Sequence, residues 1–252
     1  MKLPKNLLII LGVVLTMGLL SSCDFTTRQK IESGLKEPLS VYPTKNLEDF
    51  YDKEGYRDSN FSKDDKGVWN LYTAVAKREE PEILTNEGVS LCIDRNTRKS
   101  KGYYFIKKSY DNGDDATLTQ YPLTMKNGKL VLKEKNVDVS IKNKVEKFVF
   151  FVQVGKFKAL KDYDSKSVHY NSQVPNYLLS YKLNKNDNNI NKLRKLYNLK
   201  IGDNPKLILR GTGDAKNHSS KDNNVDFDLN NKKDRYVINY VNYEPKKRCD
   251  NW

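Results

Sequence analysis

The most definite chemistry in this 252-residue chain belongs to Leu20, Ser21, Ser22 and Cys23. Small residues at the two positions before a cysteine, with leucine three before it, resemble a bacterial lipobox. In that motif the thiol takes a diacylglyceryl group and a peptidase then cuts in front of the cysteine. Lys2 and Lys5 precede an apolar run from Leu7 to Leu20, the basic and hydrophobic regions of a cleaved secretory signal. The run falls short of the ~18–20 apolar residues that a membrane-spanning helix needs. Residues 1–22 are therefore expected to be removed, leaving Cys23 as a lipid-bearing first residue. Two or three acyl chains hold a protein to a bilayer stably where one does not.

The other reactive groups are few. Besides Cys23 the cysteines are Cys92 and Cys249. In an oxidising compartment the two are allowed one disulfide, and Cys92, inside the apolar run Val89 to Ile93, is equally readable as a buried thiol. Metal binding has little support from two separated cysteines with only His169 and His218, which fall in polar loops. Asp222 to Asp228 carries acidic or amide groups at alternate positions, but Phe227 stands where a calcium loop turns on glycine, so a solvated strand edge is expected. Gly211-Thr212-Gly213-Asp214 lacks the third glycine and the following helix of a phosphate-binding turn, and reads as a hairpin turn. No Gly-x-Ser-x-Gly and no cysteine–histidine pairing supports nucleophilic catalysis. Carboxylate pairs such as Asp64-Asp65 and Asp114-Asp115 read as exposed turn residues. One local feature stands above that background: Arg95, Arg98, Lys99 and Lys101 lead into Tyr103, Tyr104 and Phe105, an arrangement suited to a contact patch, since arginine and tyrosine carry binding energy. Strand alternation would put Tyr103, Phe105 and Lys107 on one face and Tyr104 and Ile106 on the other.

The chain carries a formal +13, with 37% hydrophobic and 31% charged residues, yet 16 Tyr and 9 Phe supply bulk that disordered chains lack. A folded body with a very polar skin follows. Loss of residues 1–22 removes Lys2 and Lys5, so the mature charge is +13 less 2, or +11. That balance favours anionic partners such as lipid headgroups, envelope polymers or acidic proteins, with nucleic acid the least expected outside the cell.

The elements that position these groups follow from periodicity. A short helix capped at Thr26 or Thr27 is expected to stop at Pro38, as part of a tether over 23–40. A second helix would run from a Thr44 cap to Gly55. From Gly67 the period changes to that of strands: Val68–Ala76, Gly88–Asp94, Lys101–Tyr110, Ala116–Met125 and Leu130–Leu132. Asn112-Gly113 and Asn127-Gly128 fall in the gaps as hairpin signals. Ser140–Val152 reads as an amphipathic helix whose second half could instead be a strand. Lys158–Pro175 reads as loop, Tyr177–Leu183 as strand and Ile190–Tyr197 as a basic helix. Lys206–Arg210, Val225–Leu229 and Tyr236–Tyr243 close the sheet. The class is α+β, a mainly antiparallel sheet with several packed helices, forming one domain over 41–252.

Several stretches, in order, are similar to the staphylococcal tandem lipoproteins, also called conserved staphylococcal antigens. They are Lys45–Asp58, Lys66–Trp69, Asp94–Arg98 followed by Gly102–Phe105, Phe150–Gln153, Val174–Tyr177 and Pro205–Gly211. The resemblance runs from the signal to about Tyr243. It implies a lipid-anchored envelope protein without known enzymatic activity, cofactor or catalytic residues. It also implies stimulation of host innate sensing through the lipid and, for some members, promotion of entry into host cells. The alternative reading is an envelope module that binds an anionic polymer or small molecule, whose mark would be a deep pocket lined by aromatics. The sequence says nothing of oligomeric state.

Overall fold

The computed structural model describes residues 27–55, 64–112, 115–171, 173–174, 176–212, 222–245 and 248–249. Cys23, the signal and Thr26 lie outside these residues, as do Gly113, Gly213 and His218. Ten strands form one antiparallel sheet: β1 Val68–Glu80, β2 Ile83–Asp94, β3 Lys99–Tyr110, β4 Thr117–Lys126, β5 Lys129–Leu132, β6 Asp164–Asn171, β7 Asn176–Lys182, β8 Lys206–Thr212, β9 Asp222–Asp228 and β10 Asp234–Glu244. The order across the sheet is β5-β4-β3-β2-β1-β10-β9-β8-β7-β6. Two five-stranded meanders are thus joined at the centre by the first and last strands. The turn between β4 and β5 shows why Asn-Gly was informative: Asn127 and Gly128 both have positive φ, 51° and 71°, as the favoured two-residue hairpin turn requires.

Short helices cover one face: α1 over 27–34, α2 Lys36–Ser40, α3 Val139–Glu146 and α4 Asn188–Tyr197. Asp138 caps α3 by accepting from Ser140 N, and Asp187 caps α4 by accepting from Asn189 N and Ile190 N. Ile31, Ile141, Val145, Ile190 and Leu193 from these helices, with Leu35 between α1 and α2, join Leu71, Leu91, Tyr104 and Phe227 of the sheet in one buried core. At its centre Thr73 donates to Asn239 Oδ1 at 2.8 Å and accepts from Phe151 N at 3.2 Å. This buried bond fixes the crossing segment onto the sheet.

Several expectations change. The segment from residue 27 is no tether, because Ile31 and Leu35 are in the core and Tyr181 donates to Glu32 at 3.0 Å. Pro38 does not stop the helix. The break falls at Leu35, and Pro38 sits in the first turn of α2, where a missing N–H costs no helical bond. Residues 44–55 form only a 3-10 helix, Leu47–Tyr51, capped by Asn46 and not by Thr44, whose hydroxyl donates to Val41 O. Gly55 is no helix cap; a Cβ there would meet the Tyr243 ring at 1.9 Å. The helix predicted over 140–152 ends at Glu146, and Phe151–Gln153 is a 3-10 turn. Its crowded aromatics turn inward one after another, Phe150 and Phe151 both buried. The loop predicted over 158–175 contains β6, whose His169 is therefore on a strand. The strand at 222–228 is not an edge, since it pairs with both β8 and β10.

Candidate functional site

The predicted contact patch separates into a buried arginine, an exposed arginine paired with a carboxylate, and two lysines. Arg95 is only 5% exposed. Its guanidinium donates to Lys66 O at 2.7 Å, to Tyr51 O at 3.4 Å and to both carboxylate oxygens of Glu54 at 3.2 and 3.0 Å. It therefore ties the 47–55 segment to the start of β1, where Phe50 packs edge-on to Trp69. Arg98 pairs with Asp52 at 2.5 Å and lies over the Tyr51 ring at 5.1 Å. The hydrogen bond from Arg98 holds the Asp52 carboxyl below the ordinary carboxylate range. Arg95 as part of an exposed patch is thus a correction: a planar fork with five donors serves four acceptor oxygens at once, so the fold buries it. Lys99 is exposed and Lys101 half-buried.

The same end of the sheet carries a second tie. Cys92 and Cys249 form a disulfide, with Cα atoms 5.7 Å apart, packed against Val68. Beside it Arg248 pairs with Asp65 at 3.0 Å. Burial raises the Asp65 carboxyl, but hydrogen bonds from Gly67 N–H, Arg248 and Asn96 outweigh that and lower it overall. Asp65 is thus an engaged residue rather than a free turn carboxylate.

Strand alternation falls as the sequence predicts. Tyr104 faces the core, while Phe105 faces away and stacks on Tyr72 at 5.5 Å, and Tyr72 stacks on Tyr240 at 4.8 Å. On that outer face the acidic run of β9 is engaged by cations, Asp226 with Arg210 and Asp228 with Lys206. Burial raises the Asp226 carboxyl, and Arg210 opposes the rise. Among the described residues no cluster of His, Cys, Asp and Glu could hold a metal ion.

The core-side face holds a feature that sequence reasoning missed, a cavity of about 550 Å3 between β1–β3, α3 and the end of α4. Its sheet wall includes Val75, Thr85, Glu87 and Tyr104. Phe148 and Tyr197 close the other side, and Tyr197 is held by donating to Val149 O at 2.7 Å. Tyr104 donates its phenol to Glu87, and Lys144 pairs with the same carboxylate at 2.9 Å. Burial first, and Glu87 second, raise the Tyr104 phenol above its ordinary value. Lys77 and Lys147 also line the cavity. The sequence signal was the helical spacing of Ile141, Val145 and Phe148 with Lys142, Lys144 and Lys147 between, which says nothing about the gap the helix would leave.

A ten-stranded antiparallel sheet with helices on one face, a disulfide-held C-terminal segment and a lysine-lined cavity is the architecture of this chain. The chain belongs to the Csa1 family, whose model matches residues 27–246. It is 42% identical over 234 residues to Uncharacterized lipoprotein SERP2447 of Staphylococcus epidermidis, covering 91% of this chain and 92% of that protein. It is 37% identical over 257 residues to Uncharacterized lipoprotein SERP2423 of the same species, covering 98% and 99% respectively. These matches agree with the family resemblance carried by the sequence stretches above.

Proposed function

We propose that this chain is a non-enzymatic lipoprotein held at the extracytoplasmic face of the cell membrane by lipid on Cys23. Its folded body works by contact, with a host protein or an anionic envelope polymer as partner. The Leu20–Cys23 stretch and the lipoprotein names of its relatives support the anchor. Innate stimulation follows from the lipid itself and needs nothing from the fold. The observation that carries the contact reading is the composition of three neighbouring strands. On the face that Phe105 shares, β3, β4 and β5 carry Lys99, Lys101, Lys107, Lys126 and Lys129, with Lys108 on the other face, and the three strands contain not one carboxylate. All but Lys101 are exposed. Arginines are elsewhere tied to carboxylates, as Arg28 to Glu32, Arg78 to Asp111 and Arg95 to Glu54. The charge left facing solvent is therefore mostly lysine, a hydrated point charge that attracts anions over a Debye length without demanding one geometry.

The test is binding of residues 24–252 to host-membrane proteins and to a glycerol-phosphate polymer at low and high salt. A variant with Lys99, Lys126 and Lys129 changed to Glu is compared with one reversing Lys195, Lys232 and Lys233. Binding should fall with salt and fall further in the first variant than in the second. Equal loss in both, or indifference to salt, would remove the β3–β5 face from the reading.

A further inference from the structure

We infer that the cavity between β1–β3, α3 and α4 is a ligand site for a small amphipathic anion, an apolar body bearing a carboxylate or a phosphate monoester. This does not rest on the contact reading above, because the cavity and the β3–β5 lysine face use different residues. The volume, about 550 Å3, lies within the ~300–1,000 Å3 usual for small-molecule sites. The walls are apolar where Val75, Phe148 and Val149 meet, and Leu196 lines the cavity as one of the few large apolar side chains left 37% exposed. An apolar ligand body would remove that surface from water.

Two observations give the site a polar end. Thr85 is only 6% exposed and lines the cavity, yet its hydroxyl has no hydrogen-bond partner among the described residues. A buried hydroxyl without a partner is unfavourable, and a ligand oxygen would supply the missing bond. The charge at the cavity is also unbalanced. Glu87 is held by Lys144 and by the Tyr104 phenol, and Lys77 stands 3.9 Å from Asp234. Lys147 is exposed and has no carboxylate in pairing distance among the described residues. The last turns of α3 and α4 also line the cavity, and each brings about half a negative charge that fades within a turn. Glu87 and Asp234 offset two of the three lysines, so Lys147 keeps the one uncompensated full charge. The helix ends oppose it only in part, because Lys147 N–H and Asn198 N–H already bond the terminal carbonyls Asn143 O and Arg194 O. The balance therefore selects an anion over a cation of equal apolar size, with Lys147 as its counter-charge and Thr85 as a donor to its oxygen.

The test uses residues 24–252, which contain the whole described core, titrated by calorimetry below micelle concentrations. Dodecanoate and dodecyl phosphate are the anionic probes, dodecyltrimethylammonium the cationic one and dodecanol the neutral one. The expected result is one-to-one binding of both anions, with the ammonium weaker by about tenfold or more, as charge matching at a partly buried site predicts. Dodecanol should fall between them. Lys147→Glu should weaken the anions about tenfold, and Thr85→Val, which keeps the shape, should weaken them by a smaller factor while leaving the fold intact. Lys129→Glu, the same charge change on β5, should leave probe binding unchanged while lowering polymer binding. Equal affinity for anion and ammonium, or equal loss in the Lys147 and Lys129 variants, would overturn the site. So would absence of binding by all four probes to a folded protein. Preference for the carboxylate would point to a fatty-acid-like ligand, and preference for the phosphate to a phosphorylated one.

Discussion

Replacing Arg95 by alanine should destabilise the body far more than replacing Arg98, although the two arginines are three residues apart and both are paired with a carboxylate. Arg95 is 5% exposed and its side chain joins Lys66 O, Tyr51 O and Glu54. Glu54 is 60% exposed on its side chain, so that partner adds little. The two backbone carbonyls matter more. A hydrogen bond from a charged donor contributes about 1.5–3 kcal/mol, and the longer bond to Tyr51 belongs at the bottom of that range. Two such bonds at the bottom of that range make ~3 kcal/mol, and lost packing of the arginine stem adds to it, so this figure is a floor. In a domain of this size that corresponds to a fall of about 6–12 °C in Tm. Arg98 and Asp52 are both exposed, and Arg98→Ala should leave the midpoint nearly where it was. Urea unfolding followed by circular dichroism gives both midpoints, with an unchanged slope as the check that the denatured state is comparable. An Arg95→Ala midpoint indistinguishable from that of Arg98→Ala would refute the buried tie and return Arg95 to the surface.

Cys23→Ala should abolish lipid attachment, leaving an unprocessed or released protein, and the mutant should leave the detergent phase in a partitioning assay. Reduction of Cys92–Cys249, which closes a span of 157 residues, should lower stability by about 2–4 kcal/mol against a chain-entropy ceiling near ~5 kcal/mol, measured as urea midpoints with and without reductant. Asp65 is lowered from its ordinary 3.8, so its contribution is present above that value and is lost as pH falls through the lower folded value. The Tm difference between wild type and Asp65→Asn should accordingly shrink below about pH 4, and a difference that stays constant down to pH 2 would contradict the Arg248 and Gly67 contacts.

The strands were legible because their signals are local. β1, β3 and β7 are β-branched or aromatic runs, and Asn127-Gly128 fixes its turn by backbone conformation alone. What could not be read depends on distant partners. Nothing near Arg95 in sequence shows that Glu54 and Lys66 O converge on it. Nothing near Cys92 shows that a cysteine 157 residues later, beyond the end of β10, meets it. β6, with Ser165, Lys166, His169 and Tyr170, has too little apolar alternation to stand out and becomes a strand by pairing with β7. The helix predicted through Val152 overran because Val149 and Val152 continue the helical spacing of Ile141, Val145 and Phe148, while Phe150 and Phe151 between them are drawn into the core, where Phe151 meets Phe227 at 5.0 Å. The cavity was illegible for the same reason, being a gap between elements and not a property of any one of them.

The position of α1 bears on how the basic strands can be used. The described residues open with α1 at residue 27, and Arg28 lies over the Tyr181 ring of β7, 5.7 Å from its centroid. Only four peptide steps separate Thr27 from Cys23, so fully extended chain spans at most about 14 Å between them. A lipid on Cys23 would hold the β7 side of the body within that distance of the bilayer. β4 lies seven strand spacings from β7 in the sheet order, about 34 Å along the sheet at ~4.8 Å per strand, and less in a straight line where the sheet curves. The lysines of β3–β5 thus sit toward the end of the sheet opposite the anchor. Lys30, Lys36, Lys158 and Lys161 are exposed on the segments nearest it, where anionic headgroups would attract them. One population of lysines is therefore suited to settling the body against its own membrane, and the other to meeting a partner beyond it. With a lipid on Cys23, the carboxylate-free β3–β5 face would be left clear of the bilayer for such a partner, because the anchor would be short and on the far side.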